Sequence, residues 1–532
     1  MVLDYIIVGA GPAGLQLGSL LAKTGVSYQI LESGSGVGSF FKTYPRHRKL
    51  ISINKKYTGD SNPERNLRVD WNSLLADDPE LLFTRFSDKY FPSADTYVEY
   101  LENFSAKQSL NISFNTRVSK IDRNAYFQVS TDKGDMLTAR CVVIATGVSK
   151  ENIPDIPGIE LCEKYSETDV NPTNFVNQRV LVLGKGNSAF ETADNLIETT
   201  AFVHVAGRSS IKLAWQTHYV GHLRAVNNNL LDTYQLKSQN AILDGNVLNI
   251  EKVGDEYVVD FSFSRSNEVQ KRLVYDRVIV CTGFRFDADI FAEACRPQLA
   301  INDRFPEMTS AWESVNVPDL FFAGTIMQQR DFKKSTSGFV HGFRYAVRSL
   351  FNLLVNRYQN IDLPASGLAL SSEGIAEKIV ARVNETSALW QLFEFMCDCI
   401  VVSDKQGLFI EELPVDYCHE FFGNNQSDYF NITLEYGPDH DKVDPFNIEV
   451  ERVKQNDHEN AFNAQYLHPV VRFYRRGMFV SEHHMAENLE NKWDGRESHL
   501  LPLQRFIHTC LVLNELKDDT KETEPSGQAM SV

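Results

Sequence analysis

The stretch DYIIVGAGPAGLQ at residues 4–16 decides the fold. A short apolar run ends in Gly9, Gly11 and Gly14, and a second apolar run continues to about Lys23. Strand, glycine loop and helix in that order open a dinucleotide-binding βαβ unit. The first glycine makes the tight turn, the second lets backbone approach a pyrophosphate, and the third lets the helix pack on the strand. The next strand, SYQILES, ends in Glu32, 23 residues after Gly9. A carboxylate there holds ribose hydroxyls and repels a 2′-phosphate, so this first site is expected to take FAD or NAD rather than NADP.

The design recurs about 175 residues later. Residues 179–193 read RVLVLGKGNSAFETA, with Gly184 and Gly186 at the first two glycine positions, Ala189 at the third, and Asn187 and Ser188 opening the helix. The following strand, AFVHVAGRSS, carries Arg208 and Ser209 where the first unit has Glu32. A guanidinium grips a phosphate bidentately, which tunes the second site toward NADPH. Two further apolar strands end in Thr-Gly, RCVVIATG with Thr146 and Gly147, and RVIVCTG at 277–283, as expected where a chain passes between two nucleotide domains. PDLFFAG ends in Gly324 and precedes SGFVHGFRYAVRSL, an amphipathic helix whose N-terminus is expected to face a flavin.

These elements predict an α/β chain with two Rossmann-type dinucleotide-binding domains: an FAD domain of residues 1–155 and 275–360, with an NAD(P) domain of 156–274 inserted in it. Residues 361–516 are read as a mainly helical appendage with a shorter mixed region near 405–480, and the polar tail from Lys517 as disordered. The appendage is expected to cover the flavin domain, shape the substrate pocket or join copies of the chain in a homo-oligomer.

Composition narrows the function. The chain has 532 residues and a net charge of −17, which argues against nucleic acid or a basic membrane surface as partner. No stretch approaches the ~20 apolar residues of a membrane span. The N-terminus runs straight into a strand with no export signal ahead of it, and eight cysteines fit a reducing compartment, so a cytoplasmic location is expected. Neither CxxC nor CxxxxC occurs, which disfavours disulfide reduction. Cys397 and Cys399 lie in an apolar run and read as core. His483, His484, His499 and His508 read as exposed, and no Cys/His set has metal-ligand spacing. Between Tyr44 and Arg68, seven Lys/Arg face two acids, a local +5 that points to a bound anion. Arg46 is taken there as a cofactor-phosphate ligand, with a substrate carboxylate and a solvated face as the alternatives for the segment. The loop WQTHYVGHLRAVNNNLLDTY (215–234) is expected to wall the nicotinamide, with His218 and His222 as proton carriers.

Several blocks carry a family likeness: YPRHRKLISINK (44–55), DWNSLL (70–75), GNSAFETA (186–193), THYVG (217–221), LLDTYQLKS (230–238), GFVHGFRY (338–345), LHPV (467–470) and LPLQRF (501–506). With the two glycine loops, they resemble the flavin-containing monooxygenase-like branch of the two-dinucleotide flavoproteins, and within it the FAD-dependent oxidoreductase domain-containing group described in the endoplasmic reticulum. The resemblance implies FAD and NADPH as cofactors, with a hydroperoxyflavin formed from O2 oxygenating a small substrate at nucleophilic nitrogen, sulfur or carbonyl carbon, and the basic segment suggests an anionic one. It implies Asn54 as the asparagine beside the flavin. The sequence departs from the pattern at FxGxxxH, which here is IPGIELC, with Ile156 and Cys162 at the outer positions. That departure keeps a flavin reductase without oxygen insertion, or a flavin-bearing quality-control protein, as alternatives.

Overall fold

The computed structural model describes residues 2–235, 240–264, 266–403 and 406–518. They form two compact units, Met1–Ser61 with Asn66–Phe351, and the remainder of the described chain together with Asn62–Arg65.

The first unit holds two sheets. In the first, the strands run in the order Ile112–Ser113, Tyr28–Leu31, Val2–Val8, Met136–Ile144, Phe127–Thr131 and Val118–Arg123, with Leu320–Phe322 also paired to Met136–Ile144. The Val2–Val8 strand pairs parallel with both neighbours, Ile7 standing opposite Ile30 and Val143. Tyr5, Ile6 and Ile7 are wholly buried, as strands covered on both faces must be. Helix Pro12–Leu21 begins at the glycine loop with proline in its first turn, where the missing N–H is harmless, and it is buried along nearly its whole length.

The second sheet orders its strands Val269–Tyr275, Glu256–Phe263, Ala241–Val253, Phe202–Gly207, Arg179–Leu183, Arg277–Val280 and Glu163–Lys164. Phe202–Gly207, Arg179–Leu183 and Arg277–Val280 are parallel neighbours, and helix Asn187–Leu196 covers them with Ala189, Phe190, Ala193 and Leu196. Both sheets thus place a glycine loop at the carboxyl end of a central parallel strand, where open α/β sheets bind ligands.

The second unit corrects the expectation of a mainly helical appendage. Helices Ser372–Glu385, Val415–Asn424 and Leu501–Asp518 are present, but they accompany a six-stranded antiparallel sheet ordered Ala365–Leu368, Gly407–Pro414, Met396–Val402, Asp428–Glu435, His468–Arg475 and Met478–His484. The run MCDCIVV is a strand because its β-branched residues fit a pleated surface buried on both faces. Cys397 and Cys399 are core, as read. His499 is not exposed: only 1% of its surface is accessible, and its Nε2 meets the Ala486 carbonyl at 3.0 Å. The tail expectation falls mostly on 519–532, outside the described residues, and Lys517 and Asp518 lie in the last helix. No described helix is long and apolar enough to cross a membrane. The eight cysteines are free thiols, all but Cys162 buried.

Candidate functional site

The glycines of the two loops test whether a dinucleotide fits. Gly9 has φ +106°, and a Cβ on it would stand 2.8 Å from the Ala145 carbonyl oxygen; Gly184 has φ +123°, and its Cβ would stand 2.2 Å from that of Cys281. Both positions exclude any side chain, and by the same contact, loop against the end of the neighbouring parallel strand. A Cβ on Gly14 would come within 2.0 Å of the Gly9 oxygen, so this glycine lets helix and loop close on each other. Around Gly11 and Gly186, by contrast, the space within 4 Å is open. These are the positions whose bare backbone a pyrophosphate would approach, and each caps the N-terminus of a ten-residue helix. The residues present fit two dinucleotides.

Between the loops lies a cavity of about 360 Å³. Its walls include Gly11, Pro12 and Ala13 from the first loop, Asn187, Ser188 and Glu191 from the second, Thr146 and Gly147 from the crossing strand, and Gly324. Thus Gly11, Thr146, Gly147, Asn187, Ser188 and Gly324, far apart in sequence, meet at one space. Much of its remaining wall is aromatic, with Phe40, Tyr44, Trp71, Tyr97, Phe284 and Phe339 prominent.

Other expected residues stand elsewhere. Glu32 is buried and grips its own loop: the N–H groups of Ala10 and Gly34 donate to its two oxygens at 2.8 and 2.7 Å, and the Ser39 hydroxyl donates at 2.8 Å. Arg208 and Ser209 are exposed at the end of strand Phe202–Gly207, and Arg208 makes no ion pair among the described residues. Lys185, between Gly184 and Gly186, is taken up by Asp244 and by the Ser209 carbonyl at 3.1 Å. Three expected residues stand outside the cavity lining. Arg46 does not line the cavity; its guanidinium donates to the Thr168 carbonyl at 2.7 Å, a contact that ties it to the inserted segment. Asn54 is buried away from the cavity, its amide donating to the carbonyls of Ser87 and Lys89. The asparagine that lines the cavity is Asn72, which accepts from the Ser52 hydroxyl and donates to the Ile53 carbonyl. His218 caps a four-residue helix with φ +57° outside the lining, and His222 lies against the Thr217 hydroxyl, its pKa pushed down to about 4 by burial. Of the 215–234 loop, only Val220 and Arg224 reach the cavity.

Four features were missed by sequence reasoning. Glu191 is buried beside the cavity, and the Tyr165 hydroxyl donates to it; burial raises the carboxyl to about 7. Asn187 does more than open a helix: its Oδ1 accepts from the Arg224 N–H at 3.0 Å and its amide donates to the His222 carbonyl at 2.9 Å, latching the loop that carries Arg224. His341 is 1% exposed at the cavity wall and stacks on Trp71, ring centroids 4.2 Å apart. Arg344 is wholly buried and donates to the carbonyls of Leu67, Asp70 and Ser73, which holds the turn presenting Trp71 and Asn72. The sole available signal was GFVHGFRY itself, a histidine and an arginine within one apolar helix start.

A two-loop cavity is shared by several flavoprotein groups, and comparison with known proteins decides among families. Residues 6–324 match the family model described as pyridine nucleotide-disulphide oxidoreductase. The chain belongs to that family. Across 96% of its length it is 37% identical to mouse FAD-dependent oxidoreductase domain-containing protein 2, and the alignment covers 84% of the mouse protein. This pyridine nucleotide-disulphide oxidoreductase chain also shares its fold with two solved structures. A flavin-containing monooxygenase from Stenotrophomonas maltophilia superposes with a TM-score of 0.52 at 18% identity, over 67% of this chain and 99% of the other. A bacillithiol disulfide reductase from Bacillus cereus gives 0.51 at 20%, over 67% and 100%. The same frame therefore serves monooxygenases and disulfide reductases, and the reaction must be argued from the site. No cysteine lines the cavity among the described residues.

Proposed function

We propose that this protein is an FAD-dependent oxidoreductase of the monooxygenase type, which takes electrons from NADPH and transfers one oxygen atom of O2 to a small substrate at a nucleophilic nitrogen, sulfur or carbonyl carbon. The observation that supports this reading is a cavity walled jointly by Gly11–Ala13 and Asn187–Ser188, which brings the two glycine loops to a common space. A flavin seated there supplies hydride acceptance and oxygen activation. The first loop, with Gly11 bare, would hold FAD; the second, with Gly186 bare and Arg208 free at the strand end, would hold NADPH. The aromatic wall excludes bulk water from the reacting atoms. Glu191, titrating near neutrality, can hold or release a proton at its carboxyl oxygen beside that wall. The cavity's lack of a thiol removes the group a disulfide reductase needs there.

The test is a spectrum of the purified chain, titrated with NADPH and with NADH, followed by stopped-flow mixing of the reduced protein with O2. Bound flavin, reduction by NADPH in preference to NADH, and a two-phase return of the oxidised spectrum support the reading. A chain that binds no flavin overturns it. A single fast phase favours a second reading, electron transfer without oxygen insertion, which Ile156 and Cys162 in place of the FxGxxxH residues support.

A further inference from the structure

Two polar groups on the cavity wall are incompletely met within the protein. Arg224 lines the cavity with its guanidinium over the Trp71 ring, 5.3 Å from the centroid, and makes no ion pair among the described residues. The one acid in the lining, Glu191, is engaged with Tyr165. His341 also stacks on Trp71; the Trp71 main chain interacts with its imidazole, yet neither ring nitrogen makes a hydrogen bond of normal geometry, although the residue is 1% exposed. Buried polar atoms are nearly always satisfied, so a lone imidazole and a lone cation on one aromatic ring call for a ligand that supplies what the protein omits. Burial keeps the imidazole uncharged, hence one nitrogen donates and the other accepts.

We propose that Arg224, Trp71 and His341 form the recognition site for a planar carboxylate: the guanidinium takes the carboxylate, the aromatic wall takes the flat body, and His341 bonds a second polar atom. This deepens the function proposed above and rests on it for the statement that the carboxylate is the substrate. A carboxylate fits better than a dinucleotide phosphate because the open backbone at Gly11 and Gly186 already provides for two pyrophosphates. Arg224 is in turn positioned by Asn187 through its main-chain N–H, so the loop serving the second dinucleotide also sets the substrate's anchor.

Calorimetric titration of the full-length, flavin-loaded chain with benzoate, with benzamide as the neutral isostere and with NADP+, tests the site in the wild type, Arg224→Ala, Arg224→Lys and His341→Phe. Charge-assisted pairing predicts that benzoate binds more tightly than benzamide, that Arg224→Ala weakens benzoate about tenfold to a hundredfold, and that Arg224→Lys recovers part of the loss. His341→Phe, which keeps the stack, weakens benzoate severalfold. Circular dichroism of each variant shows that it is folded, and the lysine and phenylalanine variants decide the matter if alanine is not. Equal binding of benzoate and benzamide, or benzoate affinity untouched by all three variants, overturns the proposal. So does weakening of NADP+ without weakening of benzoate, which would assign Arg224 to the dinucleotide phosphate. Flavin uptake and bleaching by NADPH are recorded on the same samples. Normal bleaching with no Arg224-dependent benzoate binding sinks this inference alone. Failure to take up flavin sinks the proposed function, and titration of the flavin-free chain then still decides whether Arg224 binds a carboxylate.

Discussion

Arg344 and Asp70 meet through the main chain: the Arg344 guanidinium donates to the Asp70 carbonyl at 3.0 Å, while the Asp70 carboxylate turns back to accept from the N–H groups of Asn72 and Ser73. One side chain thus braces a turn from outside and the other from within. Between them they fix Trp71 and Asn72 at the cavity wall. Arg344→Met takes the guanidinium donors away from the buried carbonyls of Asp70 and Ser73 and from the half-buried one of Leu67. Leaving a buried acceptor without its partner costs about 1–3 kcal/mol. Thermal denaturation should show a fall of several degrees, with Arg344→Lys recovering part of it; an unchanged midpoint in the methionine variant would contradict the brace.

The neutral form of Glu191 favours the fold. Burial raises its carboxyl to about 7 in the folded chain from an ordinary 4.5, so the folded state binds the proton more tightly. Stability from this group is complete below about 4.5 and is lost as pH rises to 7 and beyond. Glu191→Gln carries the neutral shape at every pH and still accepts from Tyr165. The variant should match the wild type near pH 5 and exceed it at pH 8, by a few kcal/mol at most. Parallel denaturation curves at the two pH values would show that burial does not govern this carboxyl.

The twin steric locks predict separable lesions. Gly9→Ala drives a methyl group against the Ala145 oxygen and should abolish flavin uptake, whereas Gly184→Ala meets the Cys281 oxygen and should leave a yellow protein that NADPH no longer reduces. Absorbance of the purified variants before and after NADPH separates these outcomes.

Arg208 stands exposed, with no ion pair among the described residues, at the end of strand Phe202–Gly207. Arg208→Ala should raise the KM for NADPH by about tenfold or more, the worth of a charge-assisted pair, and leave that for NADH nearly unchanged. Equal effects on both nucleotides would place the 2′-phosphate elsewhere.

Both glycine loops and their strands were legible because positive φ and close approach admit one residue type, and a short apolar run between such loops reads as a strand. The cavity's polar chemistry was not. Arg344 reaches Asp70 across 274 residues of sequence, a contact no local pattern announces. Asn54 and Asn72 lie in the same basic segment and its continuation, and only the turn at Asp70 decides which faces inward. The second unit misled because buried strands such as MCDCIVV lose the alternation that marks a half-exposed strand, and so blend into the helix before them.

Leu320 pairs with Val142 across the whole inserted sheet. During synthesis the ribosome therefore releases the second nucleotide fold complete while the first still lacks its last strand, and Gly324, Phe339 and His341 have yet to emerge. A nascent chain halted at that point would hold the second glycine loop on a finished sheet and the first on a sheet one strand short.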